Sequence, residues 1–165
     1  MALPLSRVVS AGIMADHILE WRLWLPRPRA EVFPFFADPG NLAAVTPRRL
    51  SFKLVSPSVP FQAGAVFDCR IHWLGIPIRW RSLIREYDPP YRFVDVQLLG
   101  PYDRWEHRHM FREEGGGTWV EDRITYRLPL GPLGRLLHIL CVGRQLRKIF
   151  DYRRRRLAEI FRAEA

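Results

Sequence analysis

The sequence has 165 residues, 48% of them apolar, so the chain is long enough to bury a core without disulfides or metals. Its two cysteines, Cys69 and Cys141, lie far apart and belong to no Cys/His cluster, which excludes a disulfide framework and a zinc-finger pattern. Because no apolar run reaches about 18 residues, we expect no transmembrane helix and a cytoplasmic protein.

The formal net charge is +9 and the isoelectric point is near 10.5. The basic residues outside the C-terminal region alternate along predicted strands, which predicts a solvated surface and no binding of nucleic acid. Contact with an anionic membrane or an acidic partner stays an alternative, because the excess of charge lies near the C-terminus at Arg144, Arg147, Lys148 and Arg153 to Arg156.

Residues 1–15 are predicted to form a flexible N-terminal tail, and residues 16–165 a single domain. The tail begins with a short apolar stretch that Ser6 and Arg7 interrupt, which does not fit a signal peptide. Met14 stands directly before the first structured pattern, so translation could also begin there.

The first structured segment, residues 17–25, alternates apolar and polar side chains and predicts a half-buried strand. Pro26 and Pro28 end this strand. Apolar spacing in residues 29–37 then predicts a short helix, and Asp38 followed by Pro39 predicts the cap of a second short helix that ends near residue 46.

The middle of the chain consists of short runs rich in aromatic and β-branched residues, separated by proline and glycine. This texture predicts strands, and the short connections predict that consecutive strands pair in antiparallel fashion. The predicted strands cover residues 50–56, 65–73, 78–87, 91–98, 104–113 and 118–127.

Residues 133–161 carry apolar side chains at spacings of three and four, which predicts a long amphipathic helix. Its polar face holds the arginine run, and its apolar face is long enough to cross a whole sheet. Gly143 is predicted to mark a bend in this helix.

The order of elements is strand, two short helices, six strands and a long helix. It predicts an α+β fold in which a curved, seven-stranded antiparallel sheet wraps around the C-terminal helix. A curved sheet and a straight helix cannot close on each other everywhere, so we also expect an internal cavity.

This order resembles the Bet v 1-like or START-like (SRPBCC) superfamily, over residues 18–161. The sequence RFVDVQ at 92–97, GPYDRWEHRHMF at 100–111 and LGPLG at 130–134 is similar to its bacterial polyketide cyclase/dehydrase-like branch. The resemblance implies a helix-grip fold around a pocket for a small hydrophobic molecule. It leaves activity open, because this scaffold supports catalysis, transport and binding.

The most informative pattern lies in the predicted strand 104–113, where alternate side chains must share one face. Two histidines on this face, next to carboxylates from neighbouring strands, suit ligand binding or proton transfer. The candidate ligand-binding residues are Asp95, Gln97, Trp105, His107, His109, Phe111, Asp122 and Tyr126.

We therefore predict binding of a small hydrophobic or amphipathic ligand, such as a lipid, a quinone or a polyketide-like molecule. One alternative is a cyclase or dehydratase with His107 and His109 as catalytic residues. Another is a protein-interaction module that uses the basic helix. A metal would need Asp95, Asp122 or His72 beside the histidines, and that spacing is a weak signal, so neither a metal nor a cofactor is predicted.

Overall fold

A computed structural model describes residues 16–57, 60–73 and 75–163 of the chain. The predicted N-terminal tail, residues 1–15, lies outside the described residues. No helix among the described residues is long and apolar enough to cross a membrane.

One antiparallel sheet of seven strands forms the body of the molecule, in the spatial order β1-β7-β6-β5-β4-β3-β2. The predicted helix-grip fold is confirmed, and neighbouring strands pair as the short connections indicated. The strands are β1 His17–Leu25, β2 Lys53–Leu54, β3 Val66–Trp73, β4 Ile76–Asp88, β5 Arg92–Leu99, β6 Arg104–Glu114 and β7 Gly117–Arg127.

Strand β2 is shorter than the sequence predicted. Ser51 adopts a left-handed backbone conformation with φ of 45°. Beyond the strand, the N–H groups of Val55 and Ser56 both donate to the carbonyl oxygen of Asp68, at 2.8 and 3.2 Å. Because two residues share one partner, the regular ladder stops after Leu54.

Two short helical segments follow β1, as predicted. The first is α1, Arg29–Phe36, and the second is a 3-10 helix, Pro39–Val45, followed by a 3-10 turn at Arg48–Leu50. The carboxylate of Asp38 caps the 3-10 helix by accepting a hydrogen bond from Gly40 N at 2.8 Å.

The long C-terminal helix is present but is not uniform. It consists of α2, Gly131–Leu137, a π-helical turn, His138–Val142, and α3, Gly143–Ala163. A side chain at Gly143 would place a Cβ 2.8 Å from Cε1 of His138. The glycine therefore makes room for the His138 ring at the point where the sequence predicted a bend.

The helix packs against the sheet through two groups of buried side chains. One group joins Phe33, Phe93 and Phe111 to Leu157 and Phe161 of α3. The other joins sheet residues to the helix and contains Leu19, Trp105, Ile124, Tyr126, Val142, Leu146 and Phe150. Three of the predicted site residues belong to these groups, Phe111 to the first and Trp105 and Tyr126 to the second.

Arginines on the outer face of the sheet pair with acidic residues on neighbouring strands. Arg22 lies 3.0 Å from Glu121, and Arg123 lies 3.0 Å from Glu20. This pairing explains why strand arginines contribute little to the local charge excess, which is concentrated in the C-terminal helix.

Candidate functional site

A cavity of about 600 Å³ lies between the concave face of the sheet and the C-terminal helix. Its volume is within the usual range for a pocket that holds a small organic molecule. Its walls are mostly apolar and aromatic, and include Phe36, Phe61, Trp80, Trp105, Leu146 and Ile149.

Two adjacent histidines from β6 border this cavity. His107 and His109 are both 4% exposed, and their ring centroids lie 3.8 Å apart. The edge of the His107 ring contacts Phe150 of α3, while His109 stacks on Phe93 of β5 at 4.2 Å. Alternation along one strand places both imidazoles on one face, as the sequence predicted, and the structure shows that this is the concave face.

The strand register brings one carboxylate to each side of the histidine pair. Asp95 on β5 pairs with His107, and Asp122 on β7 pairs with His109. One Asp122 oxygen, Oδ1, lies 3.1 Å from His107 Nε2 and 2.8 Å from His109 Nδ1. Asp95 Oδ2 lies 3.8 Å from His107 Nδ1 and 3.4 Å from His109 Nε2.

Only some of these contacts between histidine and carboxylate are hydrogen bonds. The contact of Asp122 with His107 Nε2 is a hydrogen bond, whereas His109 Nδ1 makes none because its short contact with Asp122 has poor angles. A proton on His107 Nε2 leaves a lone pair on Nδ1, and the Asp95 carboxylate 3.8 Å away has no proton to donate to it.

The two histidines differ in their electrostatic environment. Burial lowers the pKa of His107, and the adjacent His109 lowers it further, against the opposing effect of the carboxylates. Burial also opposes the charged form of His109, but Asp122 and Asp95 outweigh it and raise the pKa of that histidine. Compared with an exposed histidine, the environment therefore favours the neutral form of His107 and the protonated form of His109.

Asp122 is ionised in its contact with the two histidines. Burial alone would raise the pKa of its carboxyl group, but His109 and His107 together hold that pKa well below its usual range. Two carboxylates and one imidazolium leave a local negative charge that a further cation can balance.

Arg153 of α3 supplies that cation. Its guanidinium borders the cavity and lies 5.1 Å from the ring centre of Phe150. Its Nε has no solvent exposure and no hydrogen-bond partner among the described residues. Burial lowers the pKa of Arg153, and the nearby carboxylates of Asp122 and Asp95 oppose that effect. We call Asp95, His107, His109, Asp122 and Arg153 the polar cluster.

The structure brings together four of the eight predicted site residues at the cavity wall. These are Asp95, Trp105, His107 and His109. Asp122 is in contact with both histidines but does not line the cavity, so it supports the imidazoles from behind.

The other three predicted residues lie away from the polar cluster and do not line the cavity. Gln97 holds the β5–β6 connection, since its amide nitrogen donates to the carbonyl oxygen of Tyr102 at 2.7 Å. Phe111 belongs to the apolar group around Phe33. The hydroxyl of Tyr126 lies 3.0 Å from Nδ1 of His138.

The side chains of Asp95, His107 and His109 each offer one ligand atom, and these atoms lie within 4.8 Å of one another. Two histidines and one carboxylate can hold a divalent metal. However, the guanidinium of Arg153 borders the same wall and adds positive charge there. The donor set therefore fits a hydrogen-bonding site better than a metal site.

Comparison with known proteins gives no match to a family model and none to a curated protein. Solved structures do match. The structure of TTHA0849 from Thermus thermophilus is 24% identical, covers 90% of this chain and 99% of its own, and has a TM-score of 0.69. Ara h 8.0201, a Bet v 1 homologue, is 13% identical, with coverages of 90% and 99% and a TM-score of 0.61. The protein has the Bet v 1-like fold.

A third Bet v 1-like structure, that of CalU16 from Micromonospora echinospora, is 17% identical. It covers 97% of this chain and 88% of its own, with a TM-score of 0.56. These similarities confirm the fold that the order of elements predicted.

Sequence reasoning did not select Arg153 as a site residue of this Bet v 1-like cavity. Arg153 belongs to a run of four arginines, and such a run is typical of a solvated helix face. A signal was nevertheless present, because Arg153 follows Ile149 and Phe150 at spacings of four and three and so shares the apolar face.

Proposed function

We propose that the protein binds a small amphipathic molecule in its cavity. The apolar part of the ligand would lie between the aromatic walls, and its polar head would meet the polar cluster. One observation carries this proposal: Arg153, whose Nε has no partner among the described residues, borders a mostly apolar cavity. A buried cationic donor without a hydrogen-bond partner is costly, and a ligand oxygen would remove that cost.

The chemistry of the polar cluster favours a ligand head that accepts hydrogen bonds. Arginine has only donors, and the protonated form favoured at His109 is also a donor. A carboxylate, a carbonyl or a phenolic oxygen suits this arrangement, whereas a bare hydrocarbon leaves Nε of Arg153 without a hydrogen-bond partner. Lipids, quinones and polyketide-like molecules all include members of this class.

The proposal is tested with probes that share one alkyl chain but differ in head group. Dodecanoic acid, dodecanal and dodecane are compared by displacement of a fluorescent apolar dye. We expect Arg153→Met to weaken binding of dodecanoic acid about 10- to 100-fold, because a hydrogen bond to a charged group contributes roughly 1.5–3 kcal/mol. Binding of dodecane should not change.

The matched control is Arg155→Met, because Arg155 lies two residues further along α3 and is exposed. This variant changes the net charge equally but does not alter the cavity wall. Equal affinities of the two variants for dodecanoic acid would contradict the proposed head-group site, while failure of every probe to displace the dye would contradict ligand binding altogether.

A second candidate function, a cyclase or dehydratase, is favoured by the opposite pKa shifts of two adjacent histidines at the cavity wall. Paired groups with divergent pKa values are typical of acid–base catalysis. The free Nδ1 of His107 can accept a proton from the carbon next to a carbonyl group, and His109 can donate one to a leaving hydroxyl.

This candidate is tested with a β-hydroxyketone of similar chain length, by following formation of the conjugated enone. Turnover should fall on both sides of a pH optimum and be lost in His107→Gln and His109→Gln. Binding of the β-hydroxyketone without turnover at any pH would leave ligand binding as the function and reject catalysis of this reaction.

A further inference from the structure

The start of the C-terminal helix exposes an unusual number of large apolar side chains. Their exposed fractions range from 43% to 72%. We call this set the apolar patch, and it consists of Leu130, Leu133, Leu136, Leu137, Ile139 and Leu140.

These side chains form a continuous surface and not a scatter of single residues. Leu133, Leu136, Leu137 and Leu140 are spaced by three, four and seven positions, so they share one side of the helix. Single exposed leucines are normal on a protein surface, but a contiguous apolar patch marks a surface that contacts something else.

The apolar patch lies at the rim of the cavity. Leu130 and Leu137 are exposed to solvent and also line the cavity wall. Cys141, one residue beyond the patch, lines it as well. A partner that covers this surface would therefore cover one entrance to the ligand site.

The charged residues in the first part of the C-terminal helix have a single sign. Arg135, Arg144, Arg147 and Lys148 are exposed on the same part of the helix. Residues 128–150 contain no aspartate or glutamate. Exposed leucines followed by exposed arginines and a lysine are typical of a helix that lies in the interface of an anionic membrane.

We propose that the apolar patch docks onto the surface of an anionic lipid bilayer. The leucines would enter the boundary between head groups and acyl chains, while the basic residues would contact lipid phosphates. This inference goes beyond ligand binding and assigns a membrane-facing side to the molecule. In this orientation an apolar ligand could pass between bilayer and cavity without crossing water.

Charge decides between the bilayer and two other occupants. Residues 1–15 of the same chain are apolar but carry Arg7 and no acidic residue, so they offer no complement to the basic residues. A second copy of the chain would bring an identical basic surface against the first, which is unfavourable. An anionic bilayer satisfies both the apolar and the basic side chains.

Flotation with vesicles tests the proposal. Full-length protein is mixed with vesicles of phosphatidylcholine alone, or of phosphatidylcholine with phosphatidylglycerol, and the bound fraction is measured after centrifugation. We expect binding to the anionic vesicles, weaker binding at high salt, and little binding to the neutral vesicles.

Two triple variants separate the apolar and basic contributions. Leu133→Ser, Leu136→Ser and Leu140→Ser together should lower the partition coefficient at least about 10-fold. Arg144→Gln, Arg147→Gln and Lys148→Gln should lower it by a similar factor on anionic vesicles. All six residues are exposed, so the melting temperature should change little in both variants.

The matched charge control is the triple variant Arg48→Gln, Arg49→Gln and Arg79→Gln. These three arginines are exposed and lie outside the C-terminal helix, and their replacement lowers the net charge by the same amount. If this control loses vesicle binding as strongly as the helix variant, the effect reflects net charge and the proposed docking face is wrong.

Three further results would overturn the proposal. Full-length protein could fail to float with anionic vesicles. It could float only after residues 1–13 are deleted, which would show that its own N-terminal segment covers the patch. It could instead form dimers, seen by light scattering, that the leucine variant disrupts without any vesicle binding by the wild type.

Discussion

At the residue scale, Asp122 is the side chain on which the polar cluster depends. It is 9% exposed and its Oδ1 lies within 3.1 Å of nitrogen atoms on both histidines. Asp122→Asn removes the charge that stabilises the imidazolium of His109. Because this breaks a buried ion pair, we expect a loss of about 3–5 kcal/mol in the free energy of unfolding, measured by denaturant titration.

The control for this substitution is Asp68→Asn, on the outer face of the sheet. Asp68 also forms a close ion pair, with Arg81 at 2.8 Å, but that pair is solvated. Exposed ion pairs contribute less than about 1 kcal/mol. Equal destabilisation by the two substitutions would show that burial of the cluster does not determine its strength.

The pKa of His107 should lie below the ordinary histidine value near 6.5, and the pKa of His109 should lie above it. NMR titration of the imidazole resonances, assigned with single His→Gln variants, checks this. Because the pKa of His109 is raised in the folded protein, its contribution to stability is complete below pH 6.5 and is lost as pH rises through the raised pKa.

The contribution of His107 to the stability of the fold changes with pH in the opposite direction. Its pKa is lowered in the folded protein, so its contribution is present above pH 6.5 and is lost as pH falls towards the lowered pKa. Two histidines with pKa values on the same side of 6.5 would contradict this account of the cluster.

At the element scale, the junction between the π-helical turn and α3 has a distinct requirement for glycine. Glycine to alanine normally stabilises a helix by up to about 1 kcal/mol. At Gly143 a methyl group would lie 2.8 Å from the His138 ring, which is held by stacking on His17 and by contact with Tyr126. We expect Gly143→Ala to destabilise the protein by about 1–3 kcal/mol instead.

A double-mutant cycle tests the cause. In a His138→Ala background the clash with the ring is absent, so Gly143→Ala should cost less than it does alone. An increase in melting temperature for Gly143→Ala in the wild-type background would show that the helix adapts and that the ring does not limit it.

Local sequence patterns predicted the elements but not every residue of the site. Turn residues and alternation predicted β3 to β7, and hence that His107 and His109 share one face of β6, but not that this face is the concave one. They did not select Arg153, because a run of four arginines is typical of a solvated helix face. The spacing of Arg153 from Ile149 and Phe150 was the signal that it shares the apolar face of α3.

Long-range pairing also limited the prediction of the candidate site. The registers of β5 and β7 on β6 bring Asp95 and Asp122 to the imidazoles, and a shift of one residue would have turned them away. Gln97 lies on the same strand as Asp95, but its side chain binds the backbone of Tyr102 in the connection that follows. The sequence contains no signal for that local hydrogen bond.

At the scale of the whole molecule, the curved sheet and the C-terminal helix leave a cavity of about 600 Å³, and part of the polar cluster lines its wall. A void of this size lined by apolar groups forfeits packing energy unless something occupies it. The molecule therefore combines an apolar volume, an arginine at its wall whose Nε pairs with none of the described residues, and an exposed apolar patch at its rim. Together these features support a protein that takes up an amphipathic molecule.

The most direct test of ligand binding is native mass spectrometry of the purified protein, followed by denaturing extraction and identification of any bound compound. We predict one amphipathic molecule per chain, with a carboxylate, carbonyl or phenolic oxygen in its head group. After delipidation, dodecanoic acid should restore a one-to-one complex. Protein that is purified empty, binds no dodecanoic acid and takes up no apolar dye would contradict the account.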